Sequence, residues 1–90
     1  MNNPPPKRKG TVTYRELPEE NELMVIDEAG GQVRVLNATA GGVWLLCDGK
    51  RSSREMGALL RDLFPDATEE TVRAHIDSVL AFLGDEGLLE

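Results

Sequence analysis

Two adjacent glycines, Gly41 and Gly42, follow a branched run and open an apolar one in LNATAGGVWLLCDG, residues 36–49. Glycines in that position cradle phosphate in nucleotide-binding proteins, where backbone N–H groups meet the anion at a helix start. The spacing excludes the usual forms. A Walker loop needs G-x-x-x-x-G-K-[ST], but Gly49-Lys50 is followed by Arg51, and Trp44 stands five residues before Gly49. G-x-G-x-x-G is absent, and so is the crossover of a βαβ unit. The pair is therefore read as packing: Gly41 and Gly42 let a helix approach a neighbouring element closely.

Cys47 is the only cysteine and His75 the only histidine. One of each cannot complete the donor set of a zinc-type site, so no metal and no other cofactor is expected. Cys47 has no histidine near it in sequence to act as a base, and is read as a buried, inert thiol. The acidic residues show no pair in apolar surroundings that would displace a carboxyl pKa, so they are read as a solvated surface. No group of residues supports catalysis, and the chain is not expected to be an enzyme.

Charge narrows the partners. Sixteen acidic and ten basic residues give a net charge of −6, and three of the basic ones, Lys7, Arg8 and Lys9, lie near the N-terminus. From Gly10 onward seven basic residues face sixteen acidic ones, a net of −9. Nucleic-acid domains carry a basic face because phosphate neutralisation dominates their affinity. This body repels phosphate. MNNPPPKRK has no apolar segment of signal-peptide type, and no apolar run approaches the ~18 residues that span a bilayer. With a single cysteine excluding an internal disulfide, a reducing, cytoplasmic location is expected.

The elements that position these residues follow from periodicity. Residues 1–10, with three prolines and a basic run, are expected to be a disordered tail, and residues 11–90 one small domain. TVTYREL (11–17), LMVIDE (23–28) and QVRVL (32–36) read as three strands, with PEEN and AGG as the turns between them. Asn37 is a good N-cap for a helix over 38–47 that sets Val43, Trp44 and Cys47 on one face and stops at Asp48-Gly49. Ser52 and Glu55 form a capping box ahead of a second helix, 54–64, with an apolar stripe of Met56, Leu59, Leu60, Leu63 and Phe64, ended by Pro65. Thr68 or Asp66 caps a third helix whose stripe is Val72, Ile76, Val79, Leu80 and Leu83, closed by Gly84 or Gly87. Strands first and helices after predict an α+β fold, a three-stranded antiparallel sheet followed by three α-helices, winged helix-turn-helix-like in shape.

A winged-helix shape raises DNA binding, but the third helix sets Glu69, Glu70 and Asp77 against Arg73 alone, which argues against a major-groove element. A free sheet edge can instead accept a peptide as an added strand. On the third helix Thr71, His75, Ser78 and Phe82 fall on one uncharged shoulder beside the core stripe. A peptide pairing antiparallel with Gln32, Val33, Arg34, Val35 and Leu36 would rest its apolar side chains on His75, Val79 and Phe82. A sheet edge exposes alternate N–H groups, so one of Val33 and Val35 is expected to face the peptide.

The stretch VLNATAGGVWLLCDGKRSSREMGALL, followed after the third helix begins to close by FLGDEGLLE, resembles the PqqD family of peptide chaperones and leader-recognition elements. The resemblance runs over roughly residues 20–90. Its most specific parts are Leu36-Asn37, the Ala40–Trp44 stretch, Leu46, Asp48-Gly49 and the closing Gly87-Leu88-Leu89. It implies a non-catalytic, winged-helix-like domain that holds the leader of a ribosomally made precursor peptide against its third strand and third helix. It also implies presentation of that peptide to a modifying enzyme, often a radical S-adenosylmethionine protein, as in pyrroloquinoline quinone biosynthesis or a related pathway for ribosomally made peptides. Carried onto this chain, the strand is 32–36 and the helix 72–83. The alternative is a winged-helix regulator that binds nucleic acid or a protein; the acidic body favours the first.

Overall fold

Asn37 marks the point at which the chain turns from sheet to helix. In the computed structural model, which describes residues 4–90, its backbone is still extended and its side chain accepts a hydrogen bond from the Ala40 N–H at 2.8 Å. Before it run β1 (Val12–Leu17), β2 (Glu22–Asp27) and β3 (Gln32–Asn37), one antiparallel sheet in the order β1-β2-β3. Register places Tyr14 opposite Val25 and Val25 opposite Arg34. Alternation along each strand sends Val12, Leu23, Val25 and Leu36 into the core. Gly31, at φ +70°, supplies the left-handed residue of the β2–β3 turn, and its N–H donates to the Asp27 carbonyl at 2.7 Å.

Three helices follow: α1 (Ala38–Leu46), which lies on the sheet, and α2 (Ser53–Leu59) and α3 (Glu69–Asp85), which pack on each other. Helix α1 packs on β2, β3 and α3. A Cβ on Gly41 would meet the Leu23 Cβ at 3.0 Å, so only glycine permits that approach. Gly42 differs from the expectation: its nearest neighbour, Leu60 Cδ2, stands at 3.6 Å, an ordinary contact that alanine would also allow.

Both N-caps that follow are made by hydroxyls. Ser52 and Glu55 complete the capping box, and Thr68, not Asp66, caps α3 through the Thr71 N–H. Helix α2 stops five residues earlier than its apolar stripe suggests, and Arg61–Leu63 continues as a 3-10 turn. The residue before a proline is biased away from helix, so the chain tightens ahead of Pro65. A tighter winding also rotates later side chains off the stripe. Met56 is fully buried, whereas Leu59 and Leu63 are 57% and 55% exposed.

Trp44 sits at the centre of the core. Its indole N–H donates to the Leu88 carbonyl at 3.2 Å, and Tyr14 meets its ring edge-on at 5.6 Å. Gly87, at φ +74°, returns the chain from α3 so that Leu88 can reach it. The N-terminal segment departs from the expected disordered tail. Residues 1–3 of that tail lie outside the described residues, but residues 6–9 run between the end of α1 and the C-terminus. Arg8 N–H donates to the Cys47 carbonyl at 2.9 Å, Lys9 N–H to Leu88 at 3.3 Å, and the Pro6 and Lys7 carbonyls accept from Gly49 and Glu90 at 2.9 and 2.8 Å. The Arg8 guanidinium lies 5.4 Å from the Trp44 ring centre and donates to the Leu45 carbonyl. Composition signals disorder there, but these main-chain groups have partners waiting in the loop after α1 and in the last residues. Among the described residues no helix is long and apolar enough to cross a membrane.

Candidate functional site

Among the described residues, strand β3 has β2 on one side and no strand on the other. The direction of its main-chain groups follows from one bond. The Glu28 N–H donates to the Thr11 carbonyl at 3.3 Å, which makes the 11–28 pair a hydrogen-bonded one. Bonded pairs alternate, so Ile26 and Met24 turn their main-chain groups toward β1, and Val25 and Leu23 turn theirs toward β3. Arg34 and Leu36, opposite Val25 and Leu23, therefore spend theirs inside the sheet. Val33 and Val35 both direct N–H and C=O outward from the free edge. The expectation that only one of the two faces a peptide is corrected here: residues two apart share the same phase.

Side chains alternate independently of those bonds. Leu36 is buried against the helices and Arg34, on the same face, is half-buried. Gln32 shares that face near the turn and accepts from Arg34 Nη2 at 3.3 Å. Val33 and Val35 stand on the outer face, 57% and 53% exposed. The face of β3 that meets the helices is thus the one bearing Gln32, Arg34 and Leu36.

Helix α3 supplies the opposing wall. Its N-cap hydroxyl and its first-turn Glu69 and Glu70 suit the helix start, while Val72, Ile76 and Leu83 anchor it to the core. That anchoring leaves Thr71, His75 and Phe82 exposed and Val79 half-buried. The Phe64 ring meets His75 edge-on at 5.6 Å. At the other end the Glu86 carboxylate pairs with Arg34 Nη2 at 2.7 Å, joining α3 to β3. Phe64 and Glu86 were not among the expected residues. Glu86 lies four residues beyond Phe82 and so continues the same shoulder, a signal hidden because Gly84 reads as a helix end; the helix runs through it. Phe64 stays packed against the core, partly buried, while the edge of its ring reaches His75.

Such an arrangement has the chemistry to receive an extended chain. A row of unpaired main-chain groups, an uncharged shoulder and one cation suit an extended chain. Cys47 is fully buried, its Sγ–H donating to the Val43 carbonyl at 3.2 Å. Burial pushes its thiol up to about 11, against a smaller opposing pull from Arg8, so it carries no thiolate near neutrality. Among the described residues no three His, Cys, Asp or Glu side chains are placed to hold a metal ion. A cavity of about 510 Å³ opens near the opposite sheet edge, between residues 7–10, Tyr14 and Trp44, and contains none of these groove residues. A strand-accepting edge is open along its length, so it need not enclose a cavity.

The sequence model of the family described as Coenzyme PQQ synthesis protein D (PqqD) matches residues 22–89. No curated protein matches the chain. Among solved structures, one described as "TbiB1 in Complex with the TbiA(beta) Leader Peptide" shares 19% sequence identity and superposes with a TM-score of 0.78, over 93% of this chain and 94% of that one. At that identity the likeness establishes a common fold.

Proposed function

The chain belongs to the PqqD family, and from that membership we propose that it is a non-catalytic chaperone for the leader of a ribosomally made precursor peptide. The leader adds antiparallel to β3, pairing with the outward groups of Val33 and Val35, and rests apolar side chains on His75, Val79 and Phe82. Thr71 lines the far end of the shoulder; Gln32, Arg34 and Leu36 form the face beneath. The observation that carries this reading is the free β3 edge, with main-chain donors and acceptors aimed outward beside an uncharged helix shoulder. The fold neighbour described with a bound leader peptide supports it. Residues 11–90 form the binding domain. The partner that receives the peptide is a modifying enzyme of the radical S-adenosylmethionine type, and the setting is cytoplasmic. No observation favours nucleic acid, since the exposed side of α3 carries Glu69, Glu70 and Asp77.

The test is an NMR titration of the full chain with the leader of a precursor peptide encoded beside its gene. Amide shifts should gather on 32–36 and 71–83. Shifts confined to 53–64 would place the peptide elsewhere and end this reading.

A further inference from the structure

We infer that Arg34 determines specificity in the groove: it selects peptides that carry a carboxylate side chain where they lie against β3, and Glu86 holds its guanidinium until that carboxylate replaces it. The inference rests on the groove reading above and adds what kind of peptide fits. Arg34 is half-buried on the helix-facing side of β3. Its Nη2 meets Glu86 Oε2 at 2.7 Å and Gln32 Oε1 at 3.3 Å. Its Nε is covered and finds no acceptor among the described residues. A guanidinium offers its donors in a planar fork, and a carboxylate placed side-on takes Nε and Nη2 together. Glu86 touches that fork at one nitrogen. A buried charged donor left unpaired is costly, so a ligand that supplies the missing acceptor is favoured over one that does not.

Two further considerations point the same way. Strand addition through main-chain bonds is indifferent to sequence, and a slip of two residues keeps every side chain on its own face. One fixed charge pair removes that freedom. Arg34 is the sole permanent cation among the proposed groove residues of β3 and α3. In a body of net −9 an acidic side chain has few other favourable places to settle. Exchange with Glu86 replaces one carboxylate by another and keeps Arg34 paired, whereas a neutral side chain brings no counter-charge of its own.

The experiment selects random twelve-residue displayed peptides on the immobilised full chain, keeping those whose capture is lost on Val35→Pro. The expected peptides share alternate apolar positions and one Asp or Glu at a constant spacing from them. Changing that acid to its amide should weaken binding by about tenfold or more to the parent protein and by less than about twofold to Arg34→Gln. Groove-binding peptides without a fixed acid, or an equal loss on both proteins, overturn the role of Arg34 and leave the groove intact. A selection yielding no peptide sensitive to Val35→Pro overturns both. Should Arg34→Gln fail to fold by circular dichroism, Glu86→Gln decides: it frees the guanidinium and should tighten the acid-bearing peptides several-fold, and an unchanged or weaker affinity overturns the exchange.

Discussion

Trp44 is held by three unlike contacts: a hydrogen bond to Leu88, an edge-on Tyr14 and the guanidinium of Arg8. Trp44→Ala should therefore lower stability by ~3–5 kcal/mol in a denaturant titration, because the void lies where sheet, helix and C-terminus meet. A loss under about 1 kcal/mol would mean the core closes over the gap. Cys47 makes a second prediction. Its folded thiol ionises at about 11, above the ordinary value of 9.0. The neutral form is favoured in the folded state, so this contribution is fully present below about pH 9 and is lost as pH rises toward 11, on the order of 3 kcal/mol in all. Cys47→Ala should flatten that part of the stability curve. A thiol reagent at pH 8 should label native Cys47 far more slowly than the unfolded chain, and equal rates would contradict its burial.

At the scale of elements, the glycine pair separates two effects. In Gly41→Ala the new methyl meets Leu23 Cβ, a main-chain-anchored atom at 3.0 Å, so α1 must lift from β2 at about 1–3 kcal/mol. Gly42→Ala has room, and should be neutral or more stable by roughly 0.5–1 kcal/mol from helix propensity. Equal effects in thermal melts would refute the close approach at Gly41. Strand β3 separates two others. Val35→Pro removes an N–H that faces out, which should cost about tenfold in leader affinity with little change in melting temperature. Arg34→Pro removes one that bonds β2, so it should lower the melting temperature sharply. A destabilised Val35→Pro protein beside a stable Arg34→Pro one would reverse the assignment of the free edge.

The whole molecule closes on itself through residues 6–9, which bond to both the loop after α1 and the last residues. Deleting residues 1–9 removes five main-chain hydrogen bonds and uncovers one face of Trp44. Melting should fall by roughly 5–10 °C and Trp44 emission should shift to the red. Leader affinity should hold, because none of the groove residues contacts that segment in the hydrogen bonds described. An unchanged melting temperature would show that the segment adds no stability, and a lost affinity would tie it to the groove.

Local chemistry made much of this protein readable. Period-2 and period-3.6 patterns, Asn37, the Ser52–Glu55 box and Thr68 name their own elements, because each signal acts over four residues or fewer. The α+β order, the edge position of β3 and the uncharged shoulder of α3 follow from them; the family resemblance rests instead on particular residues, Leu36 to Gly49 and Gly87 to Leu89. Tertiary structure decided the rest. Whether Gly41 or Gly42 touches a strand depends on how α1 lies across β2, and whether Leu59 and Leu63 are buried depends on which side of α2 and of the turn after it meets α3. The order of residues 6–9 depends on acceptors near Cys47 and Leu88, about forty and eighty residues away in sequence. In the sequence Arg34 is read only as a strand residue that a peptide would pair with; its side-chain partner Glu86, brought from the far end of α3, appears only in the folded chain. Contacts between distant segments carry no local periodicity, so they become visible only once the elements have packed.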